Sequence, residues 1–131
     1  MSSLASSVLV VDDDRDIREA LAETLSDAGY AVRTAENGAD ALAQLRVSPR
    51  ACVVILDLMM PVMDGSAFRS AQLSDAALAP IPVIVLTADG NAAMKAGAIR
   101  ADAFMRKPVR SQDLLDLVAR YCRAPGGRPT A

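Results

Sequence analysis

The sequence predicts an α/β protein in which five parallel strands form one doubly wound sheet in the order 2-1-3-4-5. Short apolar runs rich in β-branched residues alternate five times with segments of helical periodicity. Right-handed crossovers between such strands place helices on both faces of the sheet. The first and third runs end abruptly in carboxylates. The order 2-1-3-4-5 makes these two strands neighbours, so that their acidic ends meet.

Helix stop and cap signals delimit the elements of the amino-terminal half. Gly29 ends the first helix, because glycine readily takes the left-handed conformation found after helix ends. Asn37 caps the second helix. The second strand is less apolar than the others and is therefore predicted at an edge. The predicted strands of this half are 8–11, 30–34 and 51–56, and the predicted helices are 15–28 and about 37–47.

The carboxyl-terminal half contains two further strands and three helices. Ser111 is predicted to cap the last helix. The fourth strand is an uninterrupted apolar run, as expected for a strand that is buried on both faces. The predicted strands are 81–86 and 103–105, and the predicted helices are about 65–78, about 91–99 and 111–122.

Length and composition indicate one packed domain. The chain has 131 residues, of which 52% are hydrophobic and 23% are charged, as in ordinary globular domains. We predict a disordered amino terminus over 1–6, a domain over 7–122 and a flexible tail over 123–131, which lacks periodicity. No apolar run approaches the roughly 20 residues that span a bilayer, and the opening residues do not resemble a secretory signal. We therefore expect a cytoplasmic protein.

Charge and rare residue types exclude several functions. A net charge of −2 gives no electrostatic footprint for nucleic acid or anionic membrane. The chain has no histidine, which removes imidazole metal ligands and histidine general bases. A disulfide between Cys52 and Cys122 is possible, but we expect two reduced structural thiols, as is usual in cytosolic proteins.

Several carboxylates gather at the predicted carboxyl ends of the first and third strands. Asp57 follows one strand, and Asp12 and Asp13 follow the other. Such carboxylates repel one another unless a cation lies among them, and Mg²⁺ prefers oxygen ligands of this kind. The sequence therefore predicts a metal-holding pocket around Asp57. Asp14 is interpreted instead as an acid at a helix amino terminus, and Asp64 as a turn or cap residue.

A hydroxyl and an ammonium group are predicted at the same edge of the sheet. Thr87 ends the fourth apolar run, and Lys107 follows the fifth strand. Each alone is an ordinary residue for its place, and only their order around Asp57 favours a function. The set suits phosphoryl transfer, in which catalysis is mostly positioning and charge neutralisation. The Asp57 carboxylate is the predicted nucleophile, which would form an acyl phosphate.

Taken together, these residues resemble the receiver domain of two-component response regulators over about residues 7–122. The resemblance implies a flavodoxin-like (βα)₅ fold and a phosphoryl group accepted from the phosphohistidine of a sensor histidine kinase or a histidine phosphotransfer protein. It also implies a signalling phosphoacceptor rather than an enzyme, apart from its own phosphorylation and dephosphorylation. The motifs that carry the resemblance are Val10-Val11-Asp12-Asp13-Asp14, Leu56-Asp57-Leu58-Met59-Met60-Pro61-Val62-Met63-Asp64-Gly65, Leu86-Thr87-Ala88 and Lys107-Pro108.

The same resemblance implies a ligand set for Mg²⁺ or Mn²⁺. Asp57 and Asp13 would bind the ion directly, and Asp12 would bind it through water. The backbone carbonyl of Met59 would be a further protein ligand, a role to which its side chain is indifferent.

The resemblance further implies a switch. Thr87 and Lys107 would contact the phosphoryl oxygens, and Phe104 matches the switch aromatic of the family. As a hypothesis, the phosphoryl group draws the Thr87 hydroxyl inward and Phe104 moves into the vacated space. Taken without the resemblance, Phe104 would be interpreted as a core residue.

One segment departs from the family pattern. Between Thr87 and Lys107 the chain is about two residues shorter than is usual. We therefore expect a fourth helix that is short, weak or displaced. Because that helix belongs to a face many receivers use for dimerisation, we expect a monomer before phosphorylation.

Alternatives from other classes fit less well. A haloacid-dehalogenase-like phosphatase would need an Asp-x-Asp-x-Thr motif after the first strand, and a dinucleotide-binding domain would need a Gly-x-Gly-x-x-Gly motif there. The strongest rival is a phosphorylation-independent protein-binding module with a vestigial pocket. A degenerate pocket usually lacks one or more of the residues that are intact here.

The output of the signal is expected to pass to a downstream protein partner or domain. The residues after Cys122 are too few for a helix-turn-helix reader, so we expect neither direct nucleic-acid binding nor membrane binding. A start at Met1 and a Pro/Gly-rich tail favour a stand-alone regulator over an excised receiver.

Overall fold

The computed structural model describes residues 7–48, 50–58, 63–88 and 91–122. One parallel sheet has the strand order β2-β1-β3-β4-β5, which confirms the predicted topology. The predicted segments 1–6 and 123–131 lie outside the described residues, and the domain boundaries stay a prediction. The strands are β1 (Ser7–Val11), β2 (Val32–Ala35), β3 (Ala51–Asp57), β4 (Val83–Thr87) and β5 (Ala103–Arg106), and the helices are α1 (Arg15–Asp27), α2 (Gly38–Val47), α3 (Gly65–Leu73), α4 (Ala92–Ala98) and α5 (Ser111–Val118).

Apolar side chains cover both faces of the sheet. Along β1, Leu9 and Val11 lie in one core cluster, whereas Val8 and Val10 lie in the other. The first cluster includes buried side chains of α2, α3 and α4, and the second includes those of α1 and α5. Side chains alternate across a strand, so a parallel sheet covered on both faces needs continuous apolar runs. Because the middle of each central strand must be apolar, polar residues of these strands lie at the ends of the sheet.

Local capping interactions begin and end the helices near the predicted places. Asp14 accepts hydrogen bonds from the backbone N–H groups of Asp16 and Ile17 at the start of α1. Asn37 and Asp64 cap α2 and α3 in the same way. These bonds satisfy N–H groups that have no partner within the helix. The interpretation of Asp14 and Asp64 as helix-terminal residues is therefore confirmed.

The end of α1 explains why β2 begins later than predicted. Gly29 has a φ of 102°, and its N–H donates to the carbonyl of Ser26 at 3.0 Å. The N–H of Tyr30 donates to the carbonyl of Leu25 at 3.1 Å. This pair of bonds is a Schellman motif, and it holds Tyr30 in the helix terminus. The strand therefore starts at Val32 and not at residue 30.

Other predicted element ends also differ from the structure, most of all in α3, β4 and α5. The third helix ends at Leu73 rather than 78, because the Gln72 amide donates to the carbonyls of Leu78 and Ile81 and folds the intervening chain into a turn. The fourth strand begins at Val83 rather than 81, after Pro82, which has no N–H to donate. The last helix ends at Val118, and its cap position is Arg110 and not Ser111.

The two cysteines are joined, and the expectation of reduced thiols was wrong. A disulfide connects Cys52 at the start of β3 to Cys122 after α5, with Cα atoms 5.3 Å apart. The two cysteines are 70 residues apart in the sequence. They lie close together because α5 packs back along the sheet. Across the described ranges, no helix is both long and apolar enough to cross a membrane.

Removing the cross-link is expected to lower the thermal stability. For a separation of 70 residues, the loop-entropy relation gives about 4 kcal/mol, or a fall in Tm on the order of 10 °C. Thermal unfolding with and without a phosphine reductant measures this difference. The double variant Cys52→Ala/Cys122→Ala is the control and should be insensitive to reductant. An unchanged Tm of the reduced native chain would contradict the expectation.

Candidate functional site

Two buried carboxylates lie side by side at the carboxyl end of the sheet. Asp12 directly follows β1, and Asp57 is the last residue of the adjacent β3. Their exposed fractions are 1% and 6%. Asp13 is exposed at the rim, yet one oxygen from each of the three carboxylates lies within 4.8 Å of the others. The structure thus brings together the three acids that the sequence grouped.

Lys107 supplies the charge that accompanies this acidic cluster. Its Nζ lies 3.2 Å from Asp12 Oδ2 and 3.6 Å from Asp57 Oδ2. Buried carboxylates are costly unless they are paired, so one ammonium group between two of them lowers that cost. Three carboxylates against one ammonium still leave two negative charges within this group. Oxygen ligands with this charge can hold a divalent cation.

The loop after β1 is held by two further hydrogen bonds. The N–H of Asp14 donates to Asp12 Oδ1 at 2.9 Å, and Arg18 Nη1 donates to the Asp12 carbonyl at 2.8 Å. Arg18 was missed in the sequence analysis. The available signal was a basic residue about one turn into α1, where it can reach back to the end of β1.

Thr87 ends β4 next to the same cluster. It is 2% exposed, and its strand neighbour in register is Arg106. The N–H of Lys107 donates to the Thr87 carbonyl at 2.9 Å. The backbone therefore holds the hydroxyl-bearing residue and the ammonium-bearing residue together. The peptide bond between Lys107 and Pro108 is cis.

Phe104 lies on β5 opposite Val85. Val85 belongs to the core cluster that includes residues of α4, whereas Met105, the next residue along β5, packs on the α1 and α5 side. Alternation therefore places Phe104 on the α4 side of the sheet. Its side chain is 42% exposed. It is accordingly a surface residue in this structure and not a core one.

Met59 lies outside the described residues, but the chain on either side is held. The N–H of Gly65 donates to the Leu58 carbonyl at 3.1 Å, and the N–H of Gly38 donates to the Met63 carbonyl at 3.2 Å. A Cβ on Gly38 would lie 2.8 Å from that carbonyl oxygen. Only glycine permits this approach of α2, and no local sequence pattern identifies Gly38 as the residue that makes it.

Comparison with known families gives one consistent result. Residues 8–119 match the family described as the response regulator receiver domain. Among solved structures, the chemotaxis protein CheY4 of Vibrio cholerae is 35% identical with a TM-score of 0.82, covering 89% of this chain and 98% of its own. The signal receiver domain of a histidine kinase from Syntrophus aciditrophicus is 31% identical with a TM-score of 0.80, covering 97% and 96%.

Curated relatives are longer than the matched region. The transcriptional regulatory protein GltR of Pseudomonas aeruginosa is 38% identical over 117 residues, which cover 88% of this chain and 48% of GltR. The C4-dicarboxylate transport transcriptional regulatory protein DctD of Rhizobium meliloti is 39% identical, covering 90% of this chain and 25% of DctD. The chain thus spans about half or less of the length of these relatives.

Neutralising Asp13 is expected to weaken divalent-cation binding. Asp13→Asn removes one of the three clustered charges, so the Kd for Mg²⁺ should rise by roughly tenfold or more. Without metal, the same change should raise Tm slightly because like-charge repulsion is relieved. Calorimetric titration with Mg²⁺ measures the first effect.

Asp14→Asn is the matched control for this variant. It removes the same charge one residue away, and asparagine still serves as a helix cap. Mg²⁺ affinity close to that of the native chain is expected for the control. Equal Mg²⁺ affinity of Asp13→Asn and the native chain would show that Asp13 is not a ligand.

Proposed function

The chain belongs to the receiver-domain family of two-component response regulators, and we propose that it accepts a phosphoryl group on Asp57 and signals by changing its surface. Receiver domains are signalling domains that act with histidine kinases and downstream effectors. The observation that carries the proposal is the position of Asp57, a nearly buried carboxylate 3.6 Å from the Lys107 ammonium. Burial of a carboxylate is costly, so a purely structural role does not account for this position.

The phosphoryl donor must come from a partner. This chain has no histidine, so we assign phosphohistidine to a sensor kinase or a phosphotransfer protein. A carboxylate oxygen of Asp57 forms a bond to phosphorus while the bond from phosphorus to the partner's imidazole nitrogen breaks. That nitrogen keeps the bonding electron pair and takes up a proton. The product is an acyl phosphate on Asp57.

Lys107 and Thr87 act on the transferred group in different ways. The Lys107 ammonium, already 3.6 Å from an Asp57 oxygen, neutralises charge on the phosphoryl oxygens as they arrive. The Thr87 hydroxyl lies at the end of the neighbouring strand and donates a hydrogen bond to one of those oxygens. Lys107 therefore assists phosphoryl transfer, whereas Thr87 responds to the presence of the phosphoryl group.

The acidic cluster fits Mg²⁺ or Mn²⁺. The carboxylates of Asp12, Asp13 and Asp57 would hold the ion, together with the Met59 carbonyl. The donors are hard oxygens within 4.8 Å of one another, as such ions require. A bound ion supplies charge neutralisation for the transferring group. Asp12 is fixed by the Asp14 N–H and by Arg18, which keeps one ligand oriented.

We attribute signalling to two states of the surface formed by α4 and β5. When Thr87 moves toward the phosphoryl group, Phe104 leaves its 42% exposed position for the vacated space. A partner that prefers one state then reads the occupancy of Asp57. A cytoplasmic location, a monomer before phosphorylation and the absence of direct nucleic-acid binding stay predictions.

The competing function is protein binding that is independent of phosphorylation. It is not favoured by the family match, and a vestigial pocket gives no reason for keeping Asp12, Asp57 and Lys107 in one ion-paired group. Labelling of Asp57 decides between the two functions.

Asp57→Asn is expected to abolish phosphoryl labelling. The amide has no anionic oxygen to attack phosphorus, so acetyl phosphate with Mg²⁺ should give a base-labile phosphate on the native chain and not on Asp57→Asn. Asp64→Asn is the matched control, since it changes an acid in the same loop and retains the cap of α3. Full labelling of Asp57→Asn, or none of the native chain, would overturn the assignment.

Lys107→Ala and Thr87→Ala should separate chemistry from signalling. Loss of Lys107 should slow labelling by about a hundredfold, as for other groups that stabilise developing charge. Thr87→Ala should be labelled substantially but show smaller amide NMR shifts near Phe104 when beryllofluoride, a phosphoryl mimic, is added. Thr87→Ser keeps the hydroxyl and should respond like the native chain. Native-sized shifts in Thr87→Ala would refute the switch role.

A further inference from the structure

Arg69 is a buried charge that the proposed phosphoryl transfer does not use. It lies on α3 with an exposed fraction of 6%, at the end of the sheet opposite Asp57. Its only ion-pair partner among the described residues is Asp102, whose Oδ2 lies 3.9 Å away. Burial lowers the pKa of Arg69, and Asp102 partly opposes this shift. An apolar side chain would pack here at lower cost, so its retained charge needs an explanation.

The Arg69 guanidinium group donates hydrogen bonds to the carboxyl end of α4. Arg69 Nε donates to the Ile99 carbonyl at 3.1 Å, and Nη2 donates to the Arg100 carbonyl at 2.6 Å. Ile99 is the C-cap residue that follows α4, and Arg100 turns the chain with a φ of 57°. Carbonyls at a helix end have no partner within the helix, and a cation is favourable there. Arg69 therefore caps α4 from a neighbouring helix.

Further hydrogen bonds hold Arg69 and the groups around it in place. Arg69 Nη1 donates to Gln72 Oε1 at 2.8 Å. The fully buried Gln72 donates from Nε2 to the carbonyls of Leu78 and Ile81 at 2.9 and 2.8 Å. Asp102 Oδ2 accepts from the N–H of Val83 at 2.7 Å. The network thus ties the end of α4 to α3, to the chain before β4 and to β4 itself.

Side-chain packing holds α4 much less firmly. Among its described side chains, from Met94 to Ala98, Ala96 alone is buried, and Met94 is 73% exposed. The amino end of α4 follows soon after Thr87, the residue expected to move. One end of the helix is therefore connected to the switch, and the other is fastened by a buried network.

We propose that Arg69 is a positioning residue that anchors the carboxyl end of α4, so that phosphorylation displaces this helix at its amino end. The inference rests on the proposed function and adds a pivot to it. The pivot confines the change to the part of the α4 surface nearest Thr87. Without Arg69 the whole helix moves, and the two surface states become less distinct.

The test is amide hydrogen exchange along α4 in the native chain and in Arg69→Met. Methionine keeps an apolar stem of similar length and removes every donor. Without any phosphoryl mimic, amides from residue 97 to 101 should exchange about tenfold faster, the equivalent of one lost hydrogen bond to a charged group. Amides of β1 and β3 should be unchanged. Unchanged exchange over 97–101 would overturn the anchor.

Beryllofluoride with Mg²⁺ then tests the pivot. In the native chain, exchange should change at the amino end of α4 and stay constant at the carboxyl end. In Arg69→Met, the change should extend along the entire helix. An even change along native α4, or the native pattern in Arg69→Met, would refute the pivot.

Arg33→Met is the matched control. Arg33 lies on β2, at the far edge of the sheet, and it is also partly buried. It donates to Ser7 Oγ at 2.9 Å and to the Ser48 carbonyl at 3.0 Å. This variant should lose stability without altering the pattern along α4. An equal effect in both variants would mean general destabilisation and would overturn the proposal. If Arg69→Met does not fold, Arg69→Lys serves instead, since lysine cannot bridge both carbonyls and Gln72, and faster exchange over 97–101 is again expected.

Labelling with acetyl phosphate separates this inference from the proposed function. Arg69→Met should be labelled on Asp57 at a rate near that of the native chain, because Arg69 lies at the opposite end of the sheet. Absence of label on the native chain would refute the phosphoacceptor and leave the exchange result without mimic intact. Normal labelling with unchanged exchange in Arg69→Met would refute the anchor alone.

Discussion

The pairing of two buried carboxylates with one ammonium is the interaction on which the rest of the site depends. Asp12 and Asp57 sit at the ends of adjacent parallel strands, where the sheet places them whether or not their charges are compensated. Lys107 reaches both from β5, with Nζ at 3.2 and 3.6 Å. Lys107 can make both contacts only when β4 and β5 lie in the observed order and register. The strand order of the sheet is thus also what brings a positive charge to the two buried carboxylates.

The chain separates its polar networks between the two ends of the sheet. At the carboxyl end, the ionic group around Asp57 has one exposed member, Asp13, and faces a rim that solutes can reach. At the amino end, Arg69 and Gln72 form a network that is closed over backbone carbonyls. The strands between them are almost entirely apolar. The proposed phosphoryl chemistry and the proposed anchor therefore lie at opposite ends of the same sheet.

Much of this arrangement could be predicted from sequence because it depends on local signals. Periodicity identified the five strands and five helices, and the short fourth helix was expected from a short segment. Asp12, Asp57, Thr87 and Lys107 could be grouped because each ends or follows a strand, and parallel strands bring those ends together. Their proximity is thus a consequence of topology, although their roles stay proposals.

What the sequence could not indicate depends on contacts between distant segments. The approach of Cys122 to Cys52 follows from how α5 lies on the sheet, and no local pattern encodes it. Arg69 resembles any helical arginine until the α4 carbonyls are in place. The turn after Leu73 is built by the Gln72 amide, so helical periodicity overran the true end. The same reason explains why Gly38 was overlooked, since its neighbour Met63 comes from another loop.

The disulfide divides the proposed site in an unexpected way. Residues 52–122 form a covalently closed ring of chain, and Asp57, Thr87 and Lys107 all lie within it. Asp12 and Asp13 lie outside, on the segment that threads β1 between β2 and β3. A single peptide cleavage inside the ring therefore leaves its two pieces covalently linked, whereas a cleavage between α1 and β3 leaves the segment that carries Asp12 and Asp13 without a covalent link to the rest of the chain. The molecule consequently has two regions of unequal tolerance to backbone nicking, and the boundary passes through the pocket.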